Sequence, residues 1–231
     1  MILDGFRRAL EMLFSLDPDV WGPVWVSLRV ACISTVLAAL VALPLGLAIG
    51  LGRFAGRRVV VSLMNTLLAL PTVLVGLVLY GLLSRSGPLG ALGILYTPTA
   101  MVIGQSVLAL PMICAFTVAS VERSDPRIRL SMLSLGAGRF RSSMAVALES
   151  RAALAAALAA GFGRVFSEVG VAMMVGGNIK GYTRNITTGI AFETGKGEFA
   201  LGVALGLVLL VVALGVNFAV GYWNYRGGRR Q

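Results

Sequence analysis

The sequence has no histidine, only two cysteines and few charged residues, which make up 13% of the chain. Without histidine it lacks the usual general base, the usual proton shuttle and a favoured metal ligand. Cys32 and Cys114 lie in apolar runs and form no C-x-x-C pair, so a disulfide is not expected. No nucleophile–base pair or metal cluster is visible. We therefore expect no catalytic residue, no metal and no cofactor in this chain.

A nucleotide-binding loop is also missing. The nearest approach to the pattern G-x-x-x-x-G-K-[ST] runs from Gly189 to Lys196, but it is one residue too long and continues with Gly197. Any energy from ATP must then come from another subunit. The chain is predicted not to be an enzyme.

Apolar residues dominate what is present: 57% of the 231 residues are hydrophobic, and the mean hydropathy is +0.87. Four windows carry no Asp, Glu, Lys or Arg, and each exceeds the roughly 20 residues that a helix needs to cross a bilayer. These windows are residues 30–52, 59–84, 86–121 and 199–225. The sequence therefore predicts an all-α membrane protein.

Charge placement predicts five spans and their orientation. A fifth span over 151–177 is needed, although it contains Arg164 and Glu168, because without it the C-terminal arginines would emerge outside. With five spans, 12 basic residues lie on the side of the C-terminus and 6 on the other. Cytoplasmic loops collect Lys and Arg, so the N-terminus is predicted outside and the C-terminus in the cytoplasm. The predicted spans are about 24–52, 58–84, 96–121, 151–177 and 197–224.

The same rule accounts for the net charge of +10, so nucleic acid is not an expected partner. The spans form a single transmembrane domain, residues 21–226. Residues 1–20 are predicted to lie along the outer interface, against membrane lipid, as an amphipathic helix. Its apolar face carries Phe6, Leu10, Leu13 and Phe14.

Three prolines fall inside predicted spans, namely Pro44, Pro71 and Pro111. Each is expected to kink or interrupt its helix. Three broken helices favour a bundle around a pathway over a simple anchor.

The longest polar segment, residues 122–150, is cytoplasmic in this topology. Apolar residues at helical spacing predict two short helices, which separate at Leu135-Gly136-Ala137-Gly138. A helix–glycine–helix element with one apolar and one basic face is suited to dock into the groove of a partner. The alternative is a solvated loop that packs only on its own bundle.

Arg164 and Glu168 place two charges inside a predicted span. Positions 157, 161, 164, 168, 172 and 175 follow helical spacing, so the pair shares one face with small residues that include Gly161. An isolated Arg at a span centre costs about 2.5–3.5 kcal/mol on insertion scales, and Glu168 one turn away lowers that cost. The pair is either a buried lock between helices or protomers, or a part of the translocation path that helps to open and close it.

The cytoplasmic loop resembles the signature loop of type I ATP-binding-cassette importer permeases. That signature reads E-A-A, three residues, Gly, nine residues, then I-x-L-P. Gly136 matches the glycine and Leu148 the leucine of the last motif. The sequence departs from the pattern with Leu130-Ser131-Met132 in place of E-A-A and Glu149 in place of the proline.

The segments FGRVFSEVGVAMMVGGNI (162–179) and TRNITTGIAFETGKGEFALGVALG (183–206) are similar to oxyanion permeases. That group shares the pattern R-x-x-x-E-x-G followed by a GN dipeptide. The amino-acid sequences of both segments resemble the tungstate branch of this group specifically. The matching residues are Arg164, Glu168, Gly170 and Gly177-Asn178.

This resemblance implies an ATP-driven importer of an oxyanion, with tungstate favoured. It implies a homodimer of permeases, two ATP-binding-cassette ATPase subunits that hold ATP and Mg, and an extracytoplasmic binding protein that delivers the anion. The expected ATPase-coupling residues are Leu135, Gly136, Ala137, Gly138, Arg139 and Phe140. The expected path or gate residues are Gly161, Arg164, Glu168 and Gly170.

The loop before the last span is predicted to lie outside and to form an extracytoplasmic mouth with Asn178, Lys180 and Arg184. Its two cations can attract a dianion or an acidic rim of a binding protein, or they are ordinary solvated charges. The segment from Thr187 to Glu193 is predicted to form a short helix there.

Other functions stay open from the sequence. A molybdate or sulfate permease belongs to the same class. An ATP-independent secondary transporter or channel would need no docking loop, and a membrane assembly or anchor protein would need no broken spans.

Overall fold

A computed structural model describes the backbone of residues 2–228 and, within that range, the side chains of residues 5–222 and 224. The described residues are mostly helical and contain no strand, which confirms the all-α prediction. Eleven helices follow one another: α1 Ile2–Phe14, α2 Pro18–Leu51, α3 Arg57–Leu67, α4 Thr72–Leu83, α5 Pro98–Glu122, α6 Pro126–Ser134, α7 Arg139–Glu149, α8 Arg151–Phe166, α9 Gly170–Gly176, α10 Ile186–Gly195 and α11 Phe199–Gly228.

Three helices are long and apolar enough to cross a membrane alone: α2, α5 and α11. Two bent pairs reach that length only together. The axes of α3 and α4 differ by 93°, and those of α7 and α8 differ by 75°. The described residues thus contain three candidate spans, or five if each bent pair counts as one.

Only one of the three prolines stands at an interruption. Pro71 adopts extended backbone just before α4 and separates it from α3. Pro44 and Pro111 lie inside α2 and α5, which continue past them, so neither proline interrupts its helix. Buried residues on both sides hold each helix in place despite one missing hydrogen bond. They are Ala42 and Gly46 around Pro44, and Ala109 and Ile113 around Pro111.

The predicted fourth span, residues 151–177, is two helices and not one. α8 ends at Phe166, and α9 begins at Gly170. In the break, Ser167 Oγ donates to the Gly163 carbonyl at 2.8 Å, and such side-chain bonds compete with the backbone bonds of a helix. The charged pair therefore lies at a helix junction.

The centre of the bundle is the contact between α2 and α5. A Cβ atom on Gly46 would lie 2.6 Å from the Cβ of Thr117, so the two backbones approach closely. Ser34 Oγ donates to the Val102 carbonyl at 3.2 Å, and Ser106 Oγ donates to the Ser34 carbonyl at 3.2 Å. Small residues and shared hydroxyl groups are typical of helix packing in membranes. α8 packs against both of these helices.

The two ends of the chain pack together. α1 buries Ala9 completely, and Gly5 of α1 lies against the Phe199 ring of α11. Phe6, Leu10 and Phe14 stay exposed on α1, as expected of an amphipathic helix whose apolar face meets lipid. Arg229 and Arg230 lie outside the described residues, as does the side chain of Arg226.

The predicted helix–glycine–helix element is present as α6 and α7. Gly136 adopts a φ of +79° between them, a conformation that favours glycine. α7 buries Ser142 and Val146 and contacts α2 and α8. The loop thus rests on its own bundle through α7.

Candidate functional site

Arg164 and Glu168 form an ion pair at the junction of α8 and α9. Arg164 Nη1 lies 2.8 Å from Glu168 Oε2, and the side chains are 32% and 3% exposed. Glu168 Oε1 also accepts the backbone N–H of Val171 at 3.3 Å. The pair fits the local dipoles, because Arg164 lies in the last turn of α8 and the carboxylate lies at the start of α9.

The break between α8 and α9 lies against the break between α3 and α4. A Cβ atom on Gly170 would lie 2.8 Å from Thr72 Oγ1 and 3.1 Å from the Val73 nitrogen. One turn further into α4, a Cβ atom on Gly76 would lie 3.2 Å from the Val171 Cα. Glycines therefore let two interrupted helices touch backbone to backbone, and the charged pair lies beside this contact.

Arg164 also borders a small cavity of about 110 Å³. The cavity is otherwise apolar, lined by Leu67, Leu68, Leu70, Leu108 and Met112. Several of these residues belong to the end of α3 and the segment that follows it. The Arg164 side chain is thus partly exposed toward the break in the second predicted span, whereas the Glu168 side chain is buried.

Gly161, predicted beside this pair, has a packing role. A Cβ atom there would lie 2.6 Å from Ile113 Cγ1 of α5. Gly161 therefore allows α8 to approach α5 one turn before Arg164. It sets the position of the pair and does not contact it.

α10 corresponds to the short helix predicted from Thr187 to Glu193. It supports the α8–α9 junction through hydrogen bonds. Thr187 Oγ1 donates to the Glu168 carbonyl at 2.6 Å, and the Ile186 N–H donates to Ser27 Oγ of α2 at 2.7 Å. Asn185 begins the helix with a capping box that Thr188 completes. Sequence reasoning missed these contacts, although Asn is a favoured residue at a helix N-cap.

The predicted mouth residues have unequal surroundings. Lys180 Nζ pairs with Asp19 Oδ1 at 2.7 Å on the surface, with side chains 64% and 44% exposed. Arg184 is largely buried and pairs with Glu193 at 2.6 Å. Asn178 adopts a φ of +51°, and its Oδ1 is buried without a hydrogen-bond partner. The structure brings none of these three into contact with Arg164 or Glu168.

Arg184 and Glu193 belong to a cluster of charged and aromatic side chains that borders a cavity of about 960 Å³. Lys196 Nζ lies 3.5 Å from the second carboxylate oxygen of Glu193. Both cations also lie over the Phe192 ring, with Arg184 Cζ 4.9 Å and Lys196 Nζ 4.1 Å from its centroid. Arg184 is therefore a structural residue here and not a solvated charge.

The predicted coupling residues form the tip of the α6–α7 element. Leu135 and Phe140 are 82% and 78% exposed, with Gly136, Ala137, Gly138 and Arg139 between them. More apolar side chains are exposed nearby, namely Leu130, Leu133, Met144 and Leu148. Exposed apolar surface of this kind is typical of interaction sites.

No protein-family model matches the sequence. The tungstate uptake system permease protein TupB of Peptoclostridium acidaminophilum is 40% identical over 95% of this chain and 96% of its own length. The TupB protein of Campylobacter jejuni is 43% identical over 94% of this chain and 91% of its own length. This chain belongs to the tungstate uptake permease family. The permease is accordingly a multi-pass membrane protein.

Further relatives are also described as anion permeases. A probable anion ABC transporter permease protein of Haloferax volcanii is 40% identical over 83% of this permease and 85% of its own length. The sulfate permease CysT and the molybdenum permease ModB of Escherichia coli are each 26% identical, over 93% and 85% of this permease. The sequence resemblance to oxyanion permeases is thus confirmed.

Proposed function

We propose that this permease carries tungstate across the cell membrane, as the membrane subunit of an ATP-driven importer. The observation that carries the proposal is identity of 40% and 43% to two tungstate uptake permeases along nearly the whole chain. Sulfate and molybdenum permeases are more distant, at 26%. Because tungstate and molybdate are alike in size and charge, an extracytoplasmic binding protein supplies the selection.

The proposed topology puts the N-terminus outside and the C-terminus in the cytoplasm, within one permease domain over residues 21–226. In this arrangement the tip of α6–α7 faces the cytoplasm, and α10 with the Arg184 cluster faces outside. The excess of arginine around α6 and α7 supports it.

ATP and Mg are bound by a partner ATPase in this proposal, with two ATPase subunits on a homodimer of permeases. The exposed apolar tip around Leu135 and Phe140 supports docking, because an amphipathic helical element fits a hydrophobic groove of a partner.

Arg164 and Glu168 are proposed to take part in the gate of the pathway. They lie where two interrupted helices meet, and Arg164 is ten times more exposed than its partner, at 32% against 3%. A guanidinium with an open side can exchange partners, and it attracts an anion that Glu168 helps to release. A pair of this kind favours passage of the anion over tight binding of it.

The test is uptake of labelled tungstate by cells that express the permease with its native partner proteins. We expect uptake that stops on ATP depletion, and a stoichiometric ATPase that co-purifies in mild detergent. Uptake that survives ATP depletion would indicate a secondary transporter. Equal displacement of tungstate by molybdate or sulfate would contradict the tungstate assignment.

A further inference from the structure

Two arginines from different elements close the end of α2. Arg129 Nη1 donates to the Leu51 carbonyl at 2.6 Å, and Arg57 Nε donates to the Ile49 carbonyl at 2.9 Å. The last carbonyls of a helix have no partner within it and carry partial negative charge. A guanidinium there both satisfies the carbonyl and complements the dipole.

The two arginines connect α2 to different parts of the molecule. Arg57 begins α3 and also pairs with Glu122 at the end of α5, so it joins transmembrane helices to each other. Arg129 belongs to α6, in the docking loop. Among the residues whose side chains the structure describes, 5–222 and 224, its bond to Leu51 is the only hydrogen bond from α6 or α7 to a helix distant in sequence. One polar contact thus ties the docking loop to α2.

The part of α2 nearer its N-terminus contacts α10. Ser27 Oγ accepts the N–H of Ile186, the first residue of α10, and the next residue, Thr187, donates to the Glu168 carbonyl. Ser27 and Leu51 are about 36 Å apart along a continuous helix that rises 1.5 Å per residue. Contacts therefore run without a gap from Arg129 through α2 and α10 to the charged pair.

We propose that Arg129 is the positioning residue through which the docking loop moves α2, so that movement of α6 reaches α10 and Glu168. This inference rests on the proposed function, because it needs an ATPase docked on α6 and α7. Chains of hydrogen bonds and rigid helices carry coupling between distant sites. Arg129 Nε is buried without a hydrogen-bond partner. This N–H can therefore donate to another acceptor when α6 shifts.

The test compares Arg129→Gln with Arg127→Gln, a control on the same helix whose exposed side chain makes no hydrogen bond. We expect the ATPase to co-purify with both variants, with normal basal ATP hydrolysis. Stimulation of hydrolysis by the tungstate-loaded binding protein, and uptake, should fall about tenfold in Arg129→Gln alone, within the usual range of site–site coupling. Arg129→Lys, which keeps a donor and a charge, should restore most of both.

The other end of the path is tested with Ser27→Ala. We expect a weaker loss of stimulation, and no further loss when Ser27→Ala is added to Arg129→Gln, because two breaks in one path are not additive. Thr35→Val is the control, since the Thr35 hydroxyl bonds only to Ala31 of its own helix. Fully additive losses would overturn the inference.

The remaining outcomes separate this inference from the function on which it rests. If the wild-type permease retains no ATPase, the proposed function fails before any variant is compared. If the wild type is stimulated and Arg129→Gln behaves like it, only the role of Arg129 fails. Loss of the ATPase from the Arg129→Gln complex would also overturn it, because Arg129 would then serve docking and not transmission.

Discussion

Two of the Arg–Glu pairs in the described residues, Arg184–Glu193 and Arg164–Glu168, differ in how far the protein buries them. At the mouth, Arg184 and Glu193 are both nearly buried, at 11% and 8% exposed, with Lys196 as a second cation on the same carboxylate. At the helix junction, Glu168 is buried but Arg164 is 32% exposed. Both pairs border a cavity, so exposure of the arginine is what separates them.

The difference shows how one pair of residue types can serve two purposes. A pair with both members nearly buried cannot exchange partners without a large penalty, because a lone buried charge is unstable. In a pair with an exposed arginine, the arginine can exchange its carboxylate for another acceptor. We therefore interpret the mouth pair as a lock and the junction pair as part of the gate, and four experiments can break or sharpen this contrast.

The largest effect is expected from Glu193→Ala. It leaves Arg184 buried without its carboxylate, so the free energy of unfolding should fall by about 3–5 kcal/mol. Thermal unfolding in detergent measures the change. Glu198→Ala, at an exposed carboxylate nearby, is the control and should unfold like the wild type. Equal stability of both variants would refute the lock.

The second effect concerns the backbone contact beside the junction. Gly170→Ala places a methyl group 2.8 Å from Thr72 Oγ1, so the free energy of unfolding should fall by about 1–3 kcal/mol through overpacking. Uptake should fall with it. Gly163→Ala is the matched control, because nothing lies within 4 Å of its added Cβ. The contact is unimportant if the two variants behave alike.

The third experiment removes both junction charges with Arg164→Gln and Glu168→Gln together. The loss of stability should be small, because removing both charges together leaves neither one buried without its partner. Tungstate uptake should fall about tenfold, equivalent to about 1.4 kcal/mol of barrier. The control is Arg7→Gln with Glu11→Gln, an exposed pair with the same four-residue spacing. Normal uptake in the junction variant would leave the pair as a lock only.

The smallest effect is expected from Lys180→Ala. Its pair with Asp19 is exposed, so the free energy of unfolding should change by less than about 1 kcal/mol. Any loss of uptake should appear at low salt and vanish at high salt, because exposed charges are screened. A salt-independent loss would show that Lys180 has a buried role like that of Arg184.

Local patterns predicted the local parts of this fold well. Apolar residues at helical spacing predicted the two short helices of the segment 122–150, which are α6 and α7. The glycines after Leu135 marked the turn between α6 and α7, where Gly136 needs a positive φ. These features depend on neighbours within a few residues, so the sequence alone contains them.

The interrupted junction could not be predicted in the same way. An apolar run looks the same whether its helix continues or stops at Phe166, and the break depends on side-chain bonds around Glu168. The contact of Ser27 with Ile186 joins residues 159 positions apart. The burial of Arg184 likewise depends on its contact with Glu193 of α10. Such contacts need the tertiary structure.

The exposed tip at Leu135 and Phe140 also affects how a cell handles this chain. Until a partner covers it, a newly made copy presents an apolar surface that invites aggregation and recognition by proteases. Copies made in excess of their partner should therefore be short-lived. If the proposed ATPase is that partner, the abundance of the permease should follow the supply of the ATPase.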